Sequence, residues 1–345
     1  MKNFGSSSKF TQMKAKILKV SFIFLLIIGS ISLVFAWGSW GHKHISRAAV
    51  FALPETMRSF YYNHIDFITE GSVVPDLRKY VTNDKAEGPR HYVDIEDFGN
   101  IPINSFPRTT KDAYTKYDSA FLNKTGYLPW HIQNLTEKLT QAFKKKNKSE
   151  ILFISAELSH YIADAHMPLH TSSNHDGQRT NQKGVHVLWE SILPPMFGEA
   201  YNFSAAPAKY IEDIPAETWT IIAQSHSLID TLLSSEKKVR KNFTKDNMYK
   251  KDPSGKIAMF YNSPVFSDEY AQQFHAALGG MVEQQLRLSI SGIAGFWYTA
   301  WVNGGSPDLT SMDDPRLTKQ NRKNYKKELK AYKKGNLLNL SLEKE

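Results

Sequence analysis

Beyond residue 37, apolar side chains recur mostly at three- and four-residue spacings, the rhythm of helices with one buried face. Over 149–166, Ile151, Leu152, Ile154, Leu158 and Ile162 keep that rhythm. Ser149 is placed to cap the start and Pro168 lies just past the end. Segments 132–143 and 218–233 carry similar stripes. The longest runs over 268–298, through Phe274, Leu278, Met281, Val282 and Leu286. Strand-like alternation is confined to 92–95, too short to build a sheet, and no internal repeat is present. The pattern predicts an all-α body with long loops at 71–90, 97–115, 171–185 and 244–266. Loops of that length usually carry function or move.

Composition narrows the class. The chain has 345 residues, 41% hydrophobic and 22% charged, which is globular and excludes disordered, collagen-like and low-complexity proteins. There is no cysteine, so disulfide scaffolds, thiolate zinc sites, cysteine nucleophiles and lipidated-cysteine anchors are excluded. The formal charge of +9 invites a nucleic-acid reading, but its distribution weakens that. Residues 1–36 hold +5 and residues 316–345 hold +7, leaving 37–315 at −3. A mildly acidic body is poorly suited to phosphate-backbone binding over its whole surface.

The ends read separately from the body. Lys14, Lys16 and Lys19 precede an apolar run from Val20 to Ala36, and Val34 and Ala36 occupy the small-residue positions of a signal-peptidase site. The expected division is a signal peptide over 1–36, one domain over 37–315 and a basic tail over 316–345. Export would place the protein in the periplasm or outside the cell. Cleavage after Ala36 would make Trp37 the new N-terminus. The tail is expected to be solvated, with an anionic membrane surface or nucleic acid as its candidate contact. No protein partner is inferred.

Candidate chemistry concentrates between residues 160 and 190. His160 and Asp164 are four apart, about 40° from superposition on a helix, so they share a face. His170 follows Pro168 in a turn, and His186 and Glu190 form a second pair four apart. Five nitrogen and oxygen donors within 31 residues, on an otherwise apolar stretch, suit zinc. Burying that many polar groups would be costly unless a cation satisfied them. Upstream stand Trp37-Gly-Ser-Trp-Gly-His42, Val-Val-Pro-Asp76 in an expected loop, and Arg-His91-Tyr-Val-Asp94.

Together these motifs resemble the superfamily of bacterial zinc-dependent phospholipases C and the fungal and plant single-strand-specific nucleases. The resemblance covers Trp37 to about Asn303 and implies a multi-helical domain with a cleft for three zinc ions. It assigns one zinc to Asp76, His91, His160 and Asp164, and a second to His170, His186 and Glu190. The third falls to the Trp37 amine and carbonyl, His42 and the other oxygen of Asp164. Asp76 would also orient the attacking water, making it the candidate catalytic residue. The reaction implied is in-line hydrolysis of a phosphoric diester.

The motifs divide on the substrate. The spacing of Trp37-Gly-Ser-Trp-Gly-His42 and the His91-Tyr-Val-Asp94 run look like the nucleases. Glu190 as the last ligand, where nucleases usually have Asp, and the 16 residues from His170 to His186 look like the phospholipases. The acidic body and the lack of cysteine tilt the expectation to a phospholipase C-type phosphodiesterase. A single-strand nuclease is the alternative, and a zinc protein without catalysis the third reading.

Other residues read as structural. His166, six after His160, points off the ligand face. His44, His64, His131, His226 and His275 are expected at the surface or as satisfied core groups, and His175 in solvent. Asp94, Glu96 and Asp97 are expected to cap or orient nearby elements, with support of His91 as a further role for Asp94. Trp297, Tyr298 and Trp301 read as core, with a wall contacting a base or acyl group of the substrate as the alternative.

Overall fold

The computed structural model describes residues 38–336 except Asn83, Asn100, Ile101, Tyr261 and Asn262. The expected signal peptide and Trp37 lie outside the described residues. In chain order the helices are α1 Gly38–Ala52, α2 Glu55–Asn63, α3 Ile65–Gly71, α4 Val74–Tyr80, α5 Thr110–Lys116, α6 Ser119–Thr125, α7 Leu128–Lys144 and α8 Lys148–Ala165. There follow α9 Val185–Val187, α10 Leu193–Phe197, α11 Ile214–Ser227, α12 Ile229–Arg240, α13 Lys245–Met248, α14 Asp268–Ala277, α15 Met281–Asn303 and α16 Pro315–Lys333. A two-residue hairpin, β1 Met259–Phe260 and β2 Ser263–Pro264, is the sheet among the described residues. The fold is all-α.

Helix α8 is the centre of the packing, lying against α7, α15, α3 and α1. Its apolar positions, Ile151, Leu158, Tyr161 and Ile162, are buried on several sides. Asn147 caps it by accepting from the Glu150 amide, in place of the expected Ser149, because Asn147 is the residue with extended backbone there. From α15, Trp297 stacks on Tyr61 and donates its indole N–H to the Ser155 carbonyl, 3.0 Å away. The expected core role of Trp297 holds, and Tyr298 and Trp301 pack at its edge.

Two long periodic segments are each split. The stripe over 218–233 bends at Leu228 between α11 and α12, and that over 268–298 breaks at Gly279 and Gly280 between α14 and α15. Both glycines have positive φ, +59° and +86°, which turns the chain while the apolar rhythm continues across the break. Three of the expected loops hold short helices: α4 within 71–90, most of α5 in 97–115, and α13 with the hairpin within 244–266. Their apolar stripes are too short to read as periodicity.

Candidate metal centre

Four elements converge on one buried point. Helix α1 brings His42, α4 brings Asp76, the turn after residues 88–90 brings His91, and α8 brings His160 and Asp164. The tight 168–171 turn adds His170, and the helical segment beginning at α9 adds His186 and Glu190. Asp76 sits in the first turn of α4, not in a loop as its sequence suggested. Glu190 lies in a π turn over Leu188–Ile192, whose wider winding interrupts the simple helix expected there.

Asp164 is the hub. Its Oδ2 lies 2.9 Å from His91 Nδ1 and 3.3 Å from His160 Nε2. Its Oδ1 lies 3.5 Å from both His42 Nε2 and His170 Nδ1. Asp76 Oδ1 is 3.7 Å from His91 and 3.9 Å from His160. Glu190 reaches His186 at 3.0 Å and His170 at 3.5 Å. Three donor groups result, each with its ligand atoms within 4.8 Å of one another: His42, His160 and Asp164; Asp76, His91 and His160; His170, His186 and Glu190.

The donors fit a cation. Both ring nitrogens of His42, both oxygens of Asp76, Asp164 Oδ1 and His170 Nδ1 are buried without a hydrogen-bond partner. Unsatisfied buried groups are costly, and here they point at one another. Other ring nitrogens are tied outward: His160 Nδ1 donates to the Ser72 carbonyl at 2.7 Å and His186 Nδ1 to the His175 carbonyl at 3.0 Å. That arrangement fixes the tautomers and leaves each Nε2 facing inward. Burial raises the Asp76 carboxyl against the pull of His160 and His91. Burial works the same way on Asp164, but His160 and His170 hold it well below the usual carboxylate range.

Trp37 lies outside the described residues. Its neighbour Gly38 packs against the Glu190 segment, where a Cβ would stand 3.5 Å from Ser191 Cα. The remaining histidines take no part in the three groups. His64 pairs with Asp313, His44 with the Trp40 carbonyl and His226 with that of Thr171. His275 bonds Tyr201, and His131 meets Tyr161 edge-on. His166 is buried beside Gly292, and His175 is exposed.

Two residues of the site escaped the sequence reading. Lys79, one turn beyond Asp76 on α4, is half-buried with its ammonium 4.8 Å from the centre of the Tyr80 ring, and despite that burial Tyr80 and the carboxylates of Asp76 and Asp164 keep it protonated. The Asp76-x-x-Lys79 spacing was its available signal. Glu87 is buried behind His91 and carried none.

A family model, S1/P1 Nuclease, matches residues 37–287. The chain belongs to the S1/P1 nuclease family. All nine residues expected to bind metal, including Trp37, lie inside the family match, whereas α16 lies beyond it. No curated protein matches the chain. Among solved structures it is similar to alpha-toxin from an avian strain of Clostridium perfringens, at 15% identity, TM-score 0.46, with 78% of this chain and 65% of that one covered. Alpha-toxin from Clostridium absonum gives 13% identity, TM-score 0.40, and coverage of 80% and 65%. The chain thus spans 65% of the length of each toxin.

Proposed function

We propose that the protein is an exported, zinc-dependent phosphodiesterase acting on single-stranded nucleic acid. The observation that carries this is the convergence of three buried donor groups on Asp164, with unpartnered oxygens and nitrogens turned inward. Three zinc ions would be held by Asp76, His91, His160 and Asp164; by His170, His186 and Glu190; and by His42, Asp164 and Trp37. The Trp37 site requires a free amine and hence cleavage after Ala36. Among the described residues no helix is long and apolar enough to cross a membrane.

Zinc in such a cluster supplies Lewis acidity and lowers the pKa of nearby water. The chain's own groups do the rest. Asp76 accepts a hydrogen bond from the attacking water and aims it at phosphorus. Lys79, one turn along α4 from Asp76, adds a positive charge felt by the same carboxylates, and would offset the negative charge of the phosphodiester. Burial of these groups away from bulk water strengthens both interactions.

The family match favours nucleic acid over the lipid that the sequence placed first. Phospholipid remains the second reading because Glu190 stands where the nucleases usually have Asp. Protein recovered after export, assayed with added zinc against single-stranded DNA and phosphatidylcholine vesicles in parallel, tests the proposal. DNA cleavage with intact lipid is expected. Headgroup release with intact DNA would transfer the assignment to the phospholipases. Bound zinc with neither activity would leave a zinc-binding protein.

A further inference from the structure

Nine Lys and Arg residues lie between Arg316 and Lys334, against one acid, Glu328. Helix α16 is no loose tail. It docks on α1 and α2 through one stripe that includes Asn321, Tyr325, Glu328 and Tyr332. Arg47 and the Tyr62 hydroxyl donate to Glu328, Asn321 donates to Asn63, and Tyr332 stacks on Phe51 with ring centroids 5.6 Å apart. These anchors fix the rotation of the helix.

The opposite side is then uniformly cationic. At 100° per residue, Lys319, Lys323, Lys326, Lys330 and Lys333 fall within about 40° of one line and extend over about 21 Å. All five are exposed. Among the described residues the ion pairs of α16 are Arg47–Glu328 and Arg316–Asp314, so none involves that line. Lys319/Lys323, Lys323/Lys327, Lys326/Lys330 and Lys330/Lys334 are like charges four apart, which destabilise a helix. A solvated surface helix gains nothing from this arrangement, whereas a polyanion would relieve it. A groove of about 420 Å³ has Asn324, Lys327, Lys330 and Lys334 among its lining residues.

We propose that α16 is a docking rail for the phosphate backbone of a nucleic-acid strand, separate from the donor cluster. The inference rests on the nucleic-acid reading of the centre. A lipid surface is the weaker fit, because Tyr325, Leu329 and Tyr332 pack against the body, so that among the described residues the outward face of α16 presents no apolar group to a bilayer. A row of cations alone suits binding driven by counterion release. It also reconciles a body of net −3 with a polyanionic substrate.

The test uses exported protein and a variant with Lys319→Gln, Lys323→Gln, Lys326→Gln and Lys330→Gln. The binding probe is a phosphorothioate oligodeoxynucleotide of about 30 nucleotides, read across a salt series; turnover is read separately on a dinucleotide. Each phosphate contact on a single strand contributes about 0.7 to the salt slope. The variant is expected to lose about 2–3 from that slope and at least tenfold in affinity, with dinucleotide turnover unchanged. Arg at the same four positions should retain both. Unchanged slope and affinity would overturn the rail. So would a selective loss of binding to phosphatidylglycerol vesicles, which would make the face a membrane contact. Slope loss in a protein that hydrolyses no dinucleotide would sink the nuclease reading and leave the rail standing.

Discussion

Glu87 Oε1 lies 3.4 Å from Nε2 of His91, on the far side of the ring from Asp164. Glu87 is itself held by Arg78 at 2.8 Å, by Arg90 at 2.9 Å and by the Tyr161 hydroxyl. Burial would raise its carboxyl, but the nearby His91 ring and the bonds from Arg78 and Tyr161 take it well below the usual range. A charged Glu87 orients the ring so that Nδ1 points toward Asp76 and Asp164. The sequence offered Asp94 for this work. Asp94 instead sits near Asp97 and Glu96, where burial and those charges push its pKa up to about 7.

Glu87→Gln is therefore expected to weaken zinc binding by about 10–100-fold, the usual cost of losing a partner behind a ligating histidine. Titration against a zinc-binding dye measures it, and Glu87→Asp should recover part of the loss. Unaltered zinc affinity would show that Glu87 only braces the fold.

Asp164 faces four histidines at once, His42, His91, His160 and His170. Asp164→Asn should release at least one zinc per chain and lower turnover by about 100-fold or more. Metal analysis of purified protein, paired with the DNA assay, decides it: full zinc with near-normal activity would refute the hub assignment.

Removing the metal should also soften the fold. One site saturated at about 1,000 times its Kd adds about 4 kcal/mol, so chelation should lower Tm by on the order of 10 °C. Calorimetry with and without chelator reads the shift directly. No change in Tm would mean that the donors hold no metal in the native protein.

His131, not itself one of the donors, supplies a separate pH dependence. Burial and the nearby Arg90, with Lys138 and His91 adding to them against Glu87, lower its pKa to about 3. A histidine depressed in the folded state contributes stability above its unfolded pKa of about 6.5, lost as pH falls toward 3. His131→Phe should flatten the acid limb in that window by up to about 1.4 kcal/mol per pH unit. Parallel denaturant titrations of both proteins from pH 7 to pH 4 are the check, and superimposable limbs would contradict it.

Trp297→Ala tests the core against a substrate-contacting wall. Loss of the buried ring is expected to cost about 3–5 kcal/mol in denaturant unfolding. KM of the folded variant should stay unchanged. A raised KM at unaltered stability would place Trp297 in a substrate wall.

The sequence by itself determined the helical class, because three- and four-residue spacing is written locally in α7, α8 and α15. It also carried the donor types, since His160/Asp164 and His186/Glu190 share a helical face by spacing alone. Chain geometry beyond one helix was not legible. The breaks at Leu228 and Gly279–Gly280 leave the apolar rhythm intact, so only packing reveals them. The short α4 that holds Asp76 and Lys79 has too few turns to show a period. Tertiary structure alone decided that Asp164 meets His42 and His91, which lie 122 and 73 positions before it. It alone decided that Glu87, not Asp94, stands behind His91, and that the lysines of α16 share one outward face. Spacing fixes direction along a helix, but long-range approach is set by which buried faces pack together.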